Sequence, residues 1–368
     1  MATVVRHKQL QSFDSWLLVS VLLLSALSMV MISSASMTMA EHWKQDAFYF
    51  VKNWLIYMPA GLLLMYVISR IEVSWWQAAT MPLLLCVFTL MVSVLVFGTK
   101  INHAQRWLSF FSLSFQPVEI LKPIIILYTA HYISSFPERL QNFSHGLAPM
   151  LVVTLSSLFL LLLQPDFGNA ALIISVCLAM WFVGGIPLRH LLMFLATIIP
   201  IGLVILVSES YRVKRLMSFL DPWADAQNSG YQLVQSLLAY GSGGVYGKGL
   251  GQGIQKLFYL PEPYTDFIAA VLAEELGLIG SLSLVALFMI IFWRSMVIVY
   301  QTPDVFSRLL VLGSCLLLVA SFMINLGTTM GLLPTKGMPL PIISYGGSAL
   351  LGSYILLGFI FSVQRHQS

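Results

Sequence analysis

The stretch best suited to chemistry runs from Tyr259 to Glu275, through Leu260-Pro261-Glu262-Pro263-Tyr264-Thr265-Asp266-Phe267 and on to the pair Glu274-Glu275. Asp266 stands where an apolar run begins. A carboxylate at a helix start can accept backbone amide hydrogen bonds and complement the helix dipole, so an N-cap is one reading of Asp266. The other is a general base. At helical spacing Asp266, Ala270 and Glu274 share a face with Glu275 beside it, which places three carboxylates in the first two turns of one span. Ionisable groups at such depth usually face a water-filled cavity or a partner cation. A base that removes a hydroxyl proton needs that kind of protected but reachable position.

A second cluster is Gln116-Pro117-Val118-Glu119-Ile120-Leu121-Lys122-Pro123, in which Glu119 and Lys122 fall on one helical face and can pair. Pro117 suits a first helical position, and Pro123 removes a helix bond and should kink the chain. The pair reads either as a self-neutralised couple at an interface or as part of a site, since Lys within an apolar span is costly. Upstream, Arg106-Trp107 reads as an interfacial anchor or as a cation beside a sugar-stacking ring. The longest polar segment, 209–265, holds Arg212, Lys214 and Arg215 and then the tract Gly241-Ser242-Gly243-Gly244-Val245-Tyr246-Gly247-Lys248-Gly249-Leu250-Gly251. Its Gly-Lys is not a nucleotide-binding loop, because Ser242 and Gly249 stand where that motif needs Gly and a magnesium-binding hydroxyl. A tightly turning re-entrant loop fits better, with a short helix over 233–240. The segment from Gly331 to Ser348 carries Lys336 and Ser344 among three prolines and four glycines, so it cannot be a continuous helix. Broken backbone at membrane depth must line a cavity or be buried in protein. Gln164-Pro165-Asp166-Phe167-Gly168 is a shorter turn in which Asp166 reads as a helix cap.

The elements that must position these groups are membrane spans. Hydrophobic residues make up 58% of the 368 and charged residues only 9%, against about a quarter charged in a soluble domain. The fold class expected is an all-α polytopic membrane protein, one domain over 1–368. Its apolar runs lie near 15–36, 49–70, 77–97, 117–136, 146–164, 167–185, 188–208, 266–293, 306–331 and 347–364. About ten spans put residues 1–14 and 365–368 on one side, taken as cytoplasmic from Arg6, Lys8 and the basic residues of the short connections. The long segments 98–116, 209–265 and 332–346 then face outward, where function tends to live. The first run, followed by Ser33-Ser34-Ala35-Ser36, resembles a signal peptide but is long for one. Cys86, Cys177 and Cys315 each sit inside an apolar run, as buried thiols do. A net charge of +4 with scattered basic residues excludes nucleic acid as a partner.

Taken together and in order, these segments resemble the SEDS family of bacterial peptidoglycan polymerases, the FtsW and RodA proteins. The resemblance rests on Arg106-Trp107, Gln116-Pro117 with Glu119 and Lys122, Gln164-Pro165-Asp166-Phe167-Gly168, the glycine tract, Pro261-Glu262 with Thr265-Asp266-Phe267, Glu274-Glu275-Leu276-Gly277, and Pro339-Leu340-Pro341 with Ser344-Tyr345-Gly346-Gly347-Ser348. Tyr259-Leu260-Pro261-Glu262 and Thr335-Lys336-Gly337-Met338-Pro339 look more like the division members than the elongation members.

The resemblance implies polymerisation of lipid II at the outer face of the bacterial cytoplasmic membrane, at the division septum. The implied partners are a class B penicillin-binding protein and other division membrane proteins. It implies Asp266 as the essential carboxylate, Glu119 orienting Lys122, and Trp107 lining the substrate groove, with Asp266, Lys122 and Lys336 at the rim of one cavity. The departing undecaprenyl pyrophosphate needs cations or a divalent metal, magnesium or manganese. By charge and side, Lys122, Arg212, Lys214, Arg215, Lys248 and Lys336 qualify, with Arg106 and Ser344 as further substrate contacts. Departures from the family pattern are His103-Ala104-Gln105, Val118, Pro123 and Pro263-Tyr264. A lipid II transporter and a scaffold that only activates the cross-linking partner are the competing readings. Transporters tend to show inverted repeats, and none is visible here.

Overall fold

The computed structural model describes residues 12–366 apart from 102–103, 111–112, 209 and 335–336. In hydrocarbon every backbone polar group must be satisfied within the protein, so long apolar runs become helices. Asp14 caps the first, its carboxylate accepting from the Leu17 amide at 3.0 Å. That helix, α1, runs over Ser15–Lys44, past the expected end at 36, and serines such as Ser33 satisfy their hydroxyls on their own helix (2.7 Å to the Met29 carbonyl). It is followed by α2 (Tyr49–Arg70), α3 (Val73–Phe97), α4 (Val118–Ser135), α5 (Ala148–Leu163, entered by a π turn), α6 (Phe167–Val183) and α7 (Leu188–Val207). The outer helices α8 (Ser210–Leu220) and α9 (Tyr231–Gly243) precede α10 (Ile268–Gln301), α11 (Val305–Thr329) and α12 (Gly347–His366).

The chain is thus a polytopic helical membrane protein. Among the described residues seven helices are long and apolar enough to cross a bilayer. The remaining expected spans correspond to 167–183 and 188–204, which are shorter, and to α4, which carries Glu119 and Lys122. The bundle is built around α11 and α12, whose apolar windows are 67% and 78% buried, against 28% for α2 and α3. Exposed apolar side chains such as Leu85, Val152, Phe159 and Leu203 ring the outside, as a lipid-facing surface requires.

One departure from the all-α expectation lies in 99–115, an antiparallel sheet of β1 (Thr99–Ile101), β2 (Ala104–Phe110) and β3 (Leu113–Phe115) in that order. The cause is a period of two: Ala104 and Leu108 face inward along β2 and are buried.

The first and last described residues lie at the same end of the bundle. Arg294 pairs with Asp14, and the Gln364 side chain donates to the Ser12 carbonyl at 2.9 Å. At the other end the glycine tract repairs a break in α10. Gly277 has φ 66° and ψ −159°, which no helix tolerates. In an unbroken helix the amides of Leu278 and Ile279 would bond to the carbonyls of Glu274 and Glu275. Here those amides donate to Gly244 and Val245 (3.0 and 3.2 Å), and the two carbonyls accept from Lys248 and Gly249 (3.0 Å each). A side chain at Gly277 would place its Cβ 2.3 Å from the Gly247 nitrogen. The expected re-entrant loop is therefore a plug threaded into a helix gap, entered through α9, which covers the short helix expected over 233–240.

Candidate active site

Asp266 is not a helix cap. The residue at the cap position of α10 is Phe267, and no side chain caps there. Tertiary bonds hold Asp266 instead, through three successive backbone carbonyls. Tyr264 accepts from the Tyr345 amide at 2.9 Å, Thr265 from the Ser344 hydroxyl at 2.5 Å, and Asp266 from the Asn325 side-chain amide at 2.9 Å. Its carboxylate faces a cleft of about 370 Å³ lined by Arg215 of α8, Gln232 of α9, Glu262, Thr328 of α11 and Gly337. Gly337 lets the chain approach closely, since a Cβ there would lie 2.9 Å from Asp266 Oδ2. Burial, then the neighbouring Glu262 carboxylate, push the Asp266 carboxyl up to about 7 against the opposing pull of Arg215. A carboxylate so tuned is matched to accepting a proton from a hydroxyl near neutral pH.

A second cavity, about 420 Å³, lies between α4, α6, α11 and α12. Lys122 reaches Glu119 at 2.7 Å there, and both side chains are nearly enclosed, so the expected pair forms. Asn169 joins the lining and donates to Asp166 at 2.9 Å, while Asp166 caps α6 as its sequence position suggests. Asp266 and Lys122 line two neighbouring pockets that meet at the segment 337–341: Gly337 lines the Asp266 side, and Met338, Pro339 and Pro341 line the Lys122 side.

Other expected site residues have different places. Lys336 lies outside the described residues, as does the side chain of Arg212. Arg215 is in the Asp266 cleft. Lys248 is not: it pairs with Glu274 at 2.7 Å, inside the plug. Lys256 pairs with Glu275 at 2.7 Å, and Ser34 bonds to the same carboxylate. Glu274 also accepts from the Ile254 and Gln255 amides, both at 3.0 Å. Both glutamates are fully buried. They pin the plug rather than extend a catalytic face with Asp266, because Asp266 precedes the helix. Arg106 ties β2 to the 164–166 turn through the Gln164 and Pro165 carbonyls, and Trp107 pairs with Thr99 in the sheet, lining neither chamber. Ser344 positions Asp266 through Thr265. Asn325, Gln232 and Thr328 were not singled out from sequence, although an Asn within an apolar span is itself a signal.

A family model of FtsW/RodA/SpoVE cell cycle proteins matches residues 14–368. The chain belongs to this family. Among its FtsW/RodA/SpoVE relatives is a probable peptidoglycan glycosyltransferase FtsW of Coxiella burnetii, 41% identical over 96% of each chain. Stage V sporulation protein E of Bacillus subtilis is 36% identical over 96% of this chain and 97% of its own. A solved structure showing structural coordination of polymerization and crosslinking by a peptidoglycan synthase complex contains a similar chain. The TM-score to that chain is 0.80 at 28% identity, covering 97% of this family member and 98% of the other. The two-chambered site thus sits on a shared fold.

Proposed function

We propose that this protein is the peptidoglycan glycosyltransferase of the division septum, polymerising lipid II into glycan strands. The observation that carries the proposal is Asp266: a partly buried carboxylate tuned to about 7, held by three tethered carbonyls in an otherwise polar cleft. Asp266 takes the proton from the 4-hydroxyl of the acceptor sugar as that oxygen attacks the anomeric carbon of the donor. The new glycosidic C–O bond forms as the bond to the pyrophosphate oxygen breaks, and undecaprenyl pyrophosphate leaves with the electron pair. Lys122 and Arg215 supply positive charge from the two sides of the segment 337–341, with Glu119 orienting Lys122.

Among the described residues no three His, Cys, Asp or Glu group to hold a metal ion. Asp266 cannot both ligate a metal and accept the acceptor's proton, so a magnesium or manganese ion would be held by Glu262 together with substrate oxygens and would supply positive charge there. The relatives named FtsW support the septal role, and the synthase complex that coordinates polymerization with crosslinking supports a cross-linking penicillin-binding protein as partner. The termini then face the cytoplasm and the site faces outward, in the bacterial inner membrane.

Purified protein given lipid II should make glycan, with Asp266→Asn inactive with or without the cross-linking partner. Full polymerisation by Asp266→Asn would overturn the assignment. Lipid II scrambling in vesicles that survives the same substitution would favour transport instead.

A further inference from the structure

Asn325 lies on the inner face of α11 and is 1% exposed. Its Nδ2 donates to the carbonyl of Asp266 at 2.9 Å and to that of Met338 at 2.7 Å. Both partners are acceptors only, so the amide must present its nitrogen to them. The two carbonyls belong to different parts of the site. Asp266 faces one chamber; Met338 lines the other, in the segment 337–341 where the two meet. One amide group thus spans the base on one side and the Glu119–Lys122 chamber on the other. The orientation has a cost. Asn325 Oδ1 is buried and finds no donor among the described residues, and an unsatisfied buried acceptor is destabilising. A leucine of similar size would avoid that cost and pack against the same apolar neighbours, but it could hold neither carbonyl. The helix supports the amide: the Asn325 carbonyl accepts from Thr328 and Thr329 hydroxyls (2.8 and 3.1 Å), and Thr328 lines the Asp266 cleft.

We infer that Asn325 is a positioning residue that sets the distance between the base and the leaving-group chamber by tethering the Asp266 and Met338 carbonyls to one side chain. The inference rests on the polymerase reading above. In that reaction the acceptor oxygen and the departing pyrophosphate lie on opposite sides of one anomeric carbon, so the base and the cation that serves the leaving group must keep a fixed separation. A misplacement of about 1 Å costs roughly a hundredfold in rate. Substrate contacts are made by other groups, so binding is little changed.

The test is steady-state polymerisation of lipid II by the full-length protein carrying Asn325→Leu or Asn325→Asp, with Asp266→Asn measured alongside. Asn325→Asp keeps the shape and presents acceptors to acceptors; Asn325→Leu removes polarity alone. Both are expected to purify as folded protein, to lose roughly 10- to 100-fold in kcat, and to keep KM within about threefold. The acid limb of the pH profile of Asn325→Leu should stay where the wild type has it, because no charge near Asp266 changes. Asn325→Ser, which keeps one donor, should recover part of the rate. If Asp266→Asn is inactive while Asn325→Leu and Asn325→Asp keep wild-type kcat, the positioning role is wrong and the polymerase reading stands. If Asp266→Asn is fully active, the polymerase reading falls first. Failure of both Asn325 variants to fold, or an equal loss through KM alone, would overturn the inference in favour of a packing or binding role.

Discussion

Replacing Asp266 by asparagine should abolish polymerisation and at the same time stabilise the protein. The carboxyl sits at about 7 in the folded chain against an ordinary 3.8. The folded state therefore holds its proton more tightly than the unfolded state does, and stability is lost as pH rises from the lower value through the higher. At about 1.36 kcal/mol per unit, full ionisation in the fold costs about 4 kcal/mol, and solvent reaching the open side of the cleft brings the expected figure to about 2–4 kcal/mol. Asparagine keeps the shape and removes the charge. Thermal unfolding in detergent should show no difference between the two proteins near pH 4 and a gap of several degrees above pH 7, opening across the window set by those two values. Wild-type kcat/KM should rise over the upper part of the same window as the base ionises. A gap in melting temperature that is absent at pH 8, or that is the same at pH 5 and pH 8, would refute the argument that this carboxylate is held uncomfortably in its cleft.

The charges around Asp266 should move that acid limb in opposite directions: Arg215→Gln toward higher pH and Glu262→Gln toward lower pH, each read from kcat/KM profiles. Gly277→Ala and Gly247→Ala should fail to accumulate as folded protein, since each Cβ would meet backbone at 2.3 and 2.1 Å and both positions have positive φ; expression followed by gel filtration reads this directly. Glu275→Gln leaves the ammonium of Lys256, 6% exposed, without its charge partner, so melting should report a loss of about 3–5 kcal/mol. The double change Glu275→Gln with Lys256→Met should recover part of it, and a double variant no better than the single would show that the ion pair is not what the plug relies on.

Much of the architecture was legible without coordinates. Apolar runs at spanning length announce helices because lipid leaves the backbone no other partner, and the expected spans match helices throughout. The Glu119–Lys122 pair and the Asp166 cap also follow from local spacing, since residues three apart on a helix meet whatever surrounds them. The sheet over 99–115 was harder to see: its strands are short, and its alternation is broken by Trp107. Three carboxylates on one face was a fair reading of Asp266, Ala270 and Glu274, but it assumed an unbroken helix beginning at Asp266.

What only the tertiary structure decided is the division of labour among those groups. Asp266 and Glu274 are eight residues apart in sequence, yet one faces a cleft and the other is sealed under a loop, because Lys248 arrives from the glycine tract to pair with Glu274. No spacing rule reports a hydrogen bond such as Asn325 to Asp266, across 59 positions, or Ser344 to Thr265, across 79. The sequence by itself determined where helices run and which carboxylate stands at the outer end of α10. Whether that carboxylate is a cap, a structural ion or a base depended on which distant carbonyl, cation and glycine were brought beside it, because desolvation and charge act through space rather than along the chain.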